Sequence, residues 1–298
     1  MKAFYADHYV LPLPPGHRFP MAKYALLRQR VAADGLASLV AAPAATDTEL
    51  LRVHRADYLN EIRTGTLPAS AMRQIGFPWS REMVERSRRS TGATIAACRA
   101  ALIDGVAVNL AGGTHHAFPD HGEGFCVFND AAVAARAVQA EGLASRILIV
   151  DCDVHQGNGT AAIFSGDGSV FTLDVYGERN YPFRKERAAL AVPLPDGTRD
   201  APYLEALADA LPRALHAGSP DLAIYLSGAD PFAGDRLGRL SLTKDGLAAR
   251  DRLVLGVLRG HDIPVAVTMA GGYASDVRDT VDIHFETVRA TAHDCTPP

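Results

Sequence analysis

The chain has 298 residues, 48% of them apolar and 21% charged, with a formal net charge of −4. This suits a soluble globular protein of one large α/β domain or two small ones. No Lys/Arg tract is long enough to read as a nucleic-acid arm, and no stretch approaches the roughly 18 apolar residues of a membrane-spanning helix. The four cysteines, Cys98, Cys126, Cys152 and Cys295, are scattered without a C-x-x-C pair. That pattern speaks against a disulfide framework or a cysteine zinc site and for a reducing, cytoplasmic setting.

In chain order, the N-terminal segment lacks a continuous apolar run and is read as no signal peptide. Met21–Ala33 has apolar residues at helical spacing, and Thr46–Ile62 reads as one or two short helices. Thr64–Ser80 reads as irregular, with two prolines and two glycines. Ser80 then caps a long helix running to Asp104 and closed by Gly105. Arg81, Arg86, Arg88 and Arg89 share that helix with Glu82 and Glu85 and read as a solvated face.

From there strands and helices alternate. Val106–Leu110 reads as a strand, Asn129–Glu141 a helix, Arg146–Val150 and Val170–Val175 strands, and Ala201–Ala217 a helix despite Pro212. Leu222–Leu226 follows as a strand, Lys244–Arg259 a helix, Pro264–Met269 a strand and Ser275–Ala292 a helix. Apolar strands without polar alternation, separated by helices, predict a mostly parallel sheet covered on both faces. No linker is visible, so one three-layer α/β/α domain over residues 1–298 is expected.

Ligands of such sheets bind beyond the carboxyl ends of the strands. Leu110 is followed by AGGTHH, which places His115 and His116 there. Val150 is followed by DCDVHQGNG, with Asp151, Asp153, His155 and Asn158; Leu226 by SGAD, with Asp230; and Met269 by AGGY, with Tyr273. A lone Asp at a strand end is often a turn former, but four strands delivering chemistry-bearing residues to one edge argue for a single site. Asp153, His155 and Asp230 form a two-carboxylate, one-imidazole set that leaves a coordination position open, the pattern of catalytic zinc; ferrous iron accepts the same ligands. Cys126 and Cys152 read as core thiols, and the histidines other than His115, His116 and His155 receive no role.

The segments GGTHHAFPDHGEGFCVFND, ILIVDCDVHQGNGT, LSGADPFAGDRLGRLSLT and AGGYA resemble the histone deacetylase family, in that family's order, over a stretch from about Val53 to beyond Tyr273. DVYGERNYP and GDRLGRLSLT resemble its class IV branch and bacterial relatives. The resemblance implies an arginase/deacetylase-like fold and a zinc amidohydrolase removing acyl groups from lysine side chains, long-chain acyl groups included. It implies Asp153, His155 and Asp230 as metal ligands. His115 backed by Asp151 and His116 backed by Asn158 become the proton-handling pair, and Tyr273 the hydroxyl donor to the oxyanion. Gly124, Phe125 and Tyr181 become tunnel residues. It also implies potassium at the backbones of Asp151, Asp153 and His155 with Asp174, and separately at Phe164, Asp167 and Val170.

The sequence departs from the class I pattern in two places. Asn158 stands where that class has an aspartate, so His116 is expected to remain neutral more easily. Thr64–Ser80, expected with Tyr176–Arg187 to shape the mouth, contains no Asp or Glu, which leaves room for small or lipidic substrates. Two other readings stay open: a deacetylase of acetylpolyamines or other small amides, which should carry an acidic rim, and an inactive metal-binding homologue that binds partners. A dinuclear, arginase-type site is disfavoured, because Gly157 and Ala229 stand where further carboxylates would be needed.

Overall fold

The computed structural model describes residues 1–293, so Cys295 lies outside the described residues. Eight strands form one parallel sheet: β1 (Lys2–Tyr5), β2 (Ser38–Ala41), β3 (Val106–Asn109), β4 (Ile147–Asp151), β5 (Val170–Gly177), β6 (Leu190–Leu194), β7 (Leu222–Ser227) and β8 (Val265–Met269). Their spatial order is β2-β1-β3-β8-β7-β4-β5-β6.

Ten helices connect and cover the strands: α1 (Ala22–Asp34), α2 (Asp47–Leu50), α3 (Ala56–Thr64), α4 (Ala69–Ile75), α5 (Arg81–Asp104), α6 (Asp130–Ala140), α7 (Asn158–Ile163), α8 (Asp200–Gly218), α9 (Lys244–Gly260) and α10 (Val277–His293). Side chains alternate across each strand. Ile147, Ile149, Leu222 and Ile224 therefore join one core with α3, α5 and α6. Leu148, Val150, Ala223 and Tyr225 join the other, with α1, α8, α9 and α10. Two buried faces explain why these strands lack polar alternation.

Capping follows the sequence closely. Ser80 accepts from Met83 N at 3.0 Å, Asn129 from Ala132 N at 3.0 Å and Thr243 from Gly246 N at 2.9 Å, which fixes the starts of α5, α6 and α9.

The structure corrects two expectations. Residues 64–80 are not irregular throughout: α4 begins after Pro68 and ends at Gly76, whose φ of 87° supplies the left-handed cap. Of the four arginines read as a solvated face of α5, only Arg81 is exposed. Arg86 is buried, lies 4.1 Å from the Tyr24 ring centroid and donates to Ala6 O, while Arg88 and Arg89 donate to the carbonyls of Ala45 and Ala42. They tie α5 to the N-terminal loops. The strands β1, β2 and β6 and the helix α7 also lie outside the sequence reading: four residues in β1 and β2 and six in α7 carry too few periods to show, and β6 is interrupted by Pro193.

The four strands whose ends carry the candidate residues, β3, β8, β7 and β4, are consecutive in the sheet. Their loops consequently open into one crevice.

Candidate active site

Beyond β4 and β7, Asp153, His155 and Asp230 offer one ligand atom each within 4.8 Å of one another. All three residues are buried or nearly so. Oδ1 of Asp153 accepts from His155 N and lies 2.9 Å from its Nδ1, and Oδ2 accepts from Gly271 N at 2.6 Å. Oδ1 of Asp230 accepts from Val154 N at 2.9 Å. Its Oδ2 lies 3.2 Å from His155 Nδ1 without hydrogen-bond alignment and is a buried oxygen with no partner.

Burial, then the Asp153 carboxylate, pushes Asp230 up to about 7. Burial opposes charge on His155, but Asp153 and Asp230 outweigh it and raise it to about 10. Such a set holds protons that a divalent cation displaces.

The space between these three side chains is kept by Gly271: a Cβ there would collide with Oδ2 of Asp230 and come within 2.6 Å of Oδ2 of Asp153. Arg250, fully buried, braces the approach by donating to Cys152 O at 3.2 Å and Gly228 O at 2.6 Å. An orphaned carboxylate oxygen, a cradle that admits no side chain and an O,N,O donor set all fit a zinc-type cation.

The tandem histidines stand beside this set. His115 Nδ1 is 2.7 Å from Asp151 Oδ2, and its Nε2 is 3.8 Å from Asp153 Oδ1. Burial works against its charge, yet Asp151 and Asp153 prevail and raise it to about 9. His116 Nδ1 is 2.7 Å from Asn158 Oδ1. Burial first, then the neighbouring His115 and His155, hold it well below the ordinary histidine range. The environments thus push two adjacent imidazoles apart.

Asn158 is itself held. Its Nδ2 donates to Glu123 Oε1 at 2.6 Å, and Gln74 of α4 donates to Glu123 Oε2 at 3.1 Å. The loop bearing the two histidines is anchored by Asp130, which accepts from Gly113 N, Thr114 N and Thr94 Oγ1. Sequence reasoning singled out neither Glu123 nor Asp130, although both lie in the GEGFCVFND segment.

Tyr273 faces the same cavity, which measures about 660 Å³. Its N–H donates to Asp235 and its carbonyl accepts from Arg236. Burial, then Asp153 and Asp230, raise the phenol well above its usual range, so it stays a donor. Lys23, also missed, is buried 5.3 Å from the Tyr273 ring centroid and donates to Ala270 O and Gly272 O, pinning the loop that carries Tyr273.

Gly124, Phe125 and Tyr181 line the cavity, together with Phe19. Gly124 is left-handed at φ 56°, and a Cβ on it would come within 2.6 Å of the His116 ring. Phe125 is also left-handed, at φ 66°; α4 holds this turn, because Gln74 O and Ile75 O accept from the N–H groups of Gly124 and Phe125. The Tyr181 ring sits edge-on to His116 with centroids 5.0 Å apart.

The two potassium sets differ. Asp174 pairs across the sheet with Asp151, and one of its buried carboxylate oxygens has no partner. Burial, then Asp151, pushes its carboxyl well above the usual range. Such a group fits a cation beside the carbonyls that follow β4. In the second set the carboxylate of Asp167 is spent on Arg136 and on Ser169 N and Oγ, and the Arg136 guanidinium lies 5.0 Å from the Phe164 ring. Only the backbones of Phe164, Asp167 and Val170 remain available there.

Residues 17–288 match the histone deacetylase domain family. Among curated relatives, the chain is 46% identical over 289 residues to an uncharacterized protein of Picosynechococcus, covering 96% of each. It is 31% identical over 269 residues to histone deacetylase 2 of Arabidopsis thaliana, covering 86% of this chain and 70% of that one. Among solved structures, an HDAC homolog from Aquifex aeolicus superposes with a TM-score of 0.82 at 26% identity, over 97% of this chain and 82% of that one. The eight-stranded parallel sheet is the fold of that structure. No helix among the described residues is long and apolar enough to cross a membrane.

Proposed function

The chain belongs to the histone deacetylase family, and from that premise we propose that this amide hydrolase is a zinc-dependent lysine deacylase akin to the class IV branch. The observation that carries the reading is the convergence of Asp153, His155 and Asp230 within 4.8 Å, beside two histidines of opposed protonation and the phenol of Tyr273 on one cavity.

Asp153, His155 and Asp230 would hold the zinc. Bound there, it polarises the amide carbonyl and makes water more acidic. His116, neutral and with Nδ1 committed to Asn158, presents Nε2 to take the proton that water loses as its oxygen adds to the carbonyl carbon. His115, protonated at neutral pH, gives its proton to the amide nitrogen as the C–N bond breaks, leaving a carboxylic acid and a free amine. Tyr273 donates its hydroxyl to the oxygen that gains charge. Phe125 and Tyr181 wall the acyl-lysine stem, and Gly124 lets the wall approach His116. A potassium ion at Asp174 and the carbonyls of Asp151, Asp153 and His155 would fix the loop that presents the ligands. The buried, unpaired Cys98, Cys126 and Cys152 support a reducing, cytoplasmic setting.

The test is cleavage of peptides bearing acetyl-, trifluoroacetyl-, octanoyl- and myristoyl-lysine, with acetylputrescine alongside, by zinc-loaded and chelator-treated protein. Chelator-sensitive release of any acyl-lysine supports the reading. No cleavage with zinc confirmed bound overturns it.

A further inference from the structure

The cavity mouth is cationic. Arg18, Arg73, Arg179, Arg236 and Arg239 line it, all with exposed side chains, and they come from four separate parts of the chain: the loop before α1, α4, the loop after β5 and the loop after β7. Among the described residues the only carboxylate lining the cavity is Asp153, at its floor among the proposed zinc ligands. The chain as a whole has 30 Lys and Arg against 34 Asp and Glu, so its surface would supply both signs about equally. The mouth is a local reversal of the molecule's net charge.

Most of these guanidinium groups are also unspent. Arg239 pairs with Asp196 at 3.2 Å, and Arg236 donates to backbone carbonyls of Tyr273 and Arg18. Arg18, Arg73 and Arg179 have no side-chain partner among the described residues. The nearby Asp235 accepts from the N–H groups of Leu237, Gly238 and Tyr273 rather than from a rim guanidinium, so its single charge offsets only part of the five arginines. Free guanidinium groups around a concave opening focus an anion-attracting field and offer two-pronged hydrogen bonds to carboxylate or phosphate.

Resting on the deacylase reading above, we infer that this mouth selects acylated amines carrying a negative group beyond the scissile amide: an acyl-lysine flanked by Asp or Glu, or a small acylated amine ending in a carboxylate. Basic peptides and polyamines are repelled by the same field. A polyamine would place an ammonium where the rim places arginines.

Kinetics on matched substrates test this. One arm uses acyl-lysine peptides flanked by Asp/Glu, Ser/Gly or Lys/Arg. The other compares 6-acetamidohexanoate with N-acetylcadaverine, which share five methylenes and end in opposite charges. At low salt the acidic member of each series should exceed the basic one in kcat/KM by about 10-fold, and the gap should shrink in roughly 0.5 M NaCl. In the Arg73→Glu/Arg179→Glu double variant the order should invert. Discrimination among peptides alone assigns the anion to a protein substrate, and among the small amides alone to a metabolite; either supports the inference. Equal rates, or a preference for basic substrates, overturn it while leaving the deacylase reading intact. No cleavage of any member overturns both.

Discussion

Glu123 and Asn158 meet at 2.6 Å, carboxylate oxygen to amide nitrogen, 35 residues apart in sequence. A carboxylate only accepts, so it fixes which end of the Asn158 amide turns away from it. The oxygen is left facing His116 Nδ1 at 2.7 Å, which places the hydrogen of the neutral imidazole on Nδ1 and leaves Nε2 free as a base. In place of an aspartate, this chain uses a neutral amide held by an acid one step further out.

Glu123→Ala should therefore release the amide and reduce kcat by roughly 10-fold, in the range of lost outer-shell partners, with zinc content unchanged. Glu123→Gln keeps an acceptor oxygen and should recover most of the rate. Equal kcat for Glu123→Ala and wild type would show that the Asn158 orientation does not depend on Glu123.

Asn158→Asp places a negative charge against His116. A nearby anion favours the imidazolium, so the His116 pKa rises from its depressed position. Since the base proposed above must be neutral, the acidic limb of the pH–rate profile should move to higher pH. A profile that stays in place would argue that His116 does not govern that limb.

The sequence and the structure agree most where chemistry is local. The apolar runs of β4, β7 and β8 announce a sheet buried on both faces, and the polar residues just past their ends announce a crevice. The Asp153–His155 spacing is legible because the two lie within one loop. Glu123 and Asn158 are different: they meet across 35 residues, beside a Gly124–Phe125 turn that α4 holds, and neither α4 nor left-handed Phe125 has a periodic signal. Arg18, Arg73, Arg179, Arg236 and Arg239 look like dispersed surface charges in one dimension. The fold brings the loops after β1, β5 and β7 and the helix α4 to one rim. β6 hides for another reason, since Pro193 breaks its pattern and is tolerated because the strand lies at the sheet edge.

Tyr273→Phe removes only a hydroxyl from a buried ring. Loss of one oxyanion donor costs about 10²-fold or more in kcat. The expected result is that loss with zinc stoichiometry and unfolding midpoint unchanged. An unchanged rate would remove Tyr273 from the reaction.

Gly271→Ala should strike the metal rather than the fold. Its Cβ would enter the space between Asp230 Oδ2 and Asp153 Oδ2, so bound zinc should fall well below one per chain and activity with it. Gly256→Ala in α9 is the control: a Cβ there meets nothing within 4 Å, and the change should stabilise by about 0.5–1 kcal/mol. Full zinc occupancy in Gly271→Ala would mean that the cradle widens at little cost.

His54 makes a prediction about stability. It is buried, its Nδ1 faces Phe118 O at 3.0 Å and its Nε2 accepts from Asn129 N at 3.0 Å. It thereby joins the loop after His116 to the start of α6. Burial depresses its pKa to about 4, against 6.5 when unfolded. Between those values the unfolded chain binds the proton and the folded chain does not, so stability falls as pH drops from about 6.5 toward 4 and is unaffected above that window. The full shift corresponds to a loss of about 3 kcal/mol. Denaturant midpoints measured from pH 8 to 4.5 should decline below about pH 6.5 in the wild type. His54→Gln should be less stable at pH 7 yet decline less steeply, because its replacement does not titrate. His284, also buried and held well below the ordinary range, contributes a parallel slope that remains in the variant. Identical slopes for the two proteins would show that His54 takes up its proton without loosening the Asn129 contact.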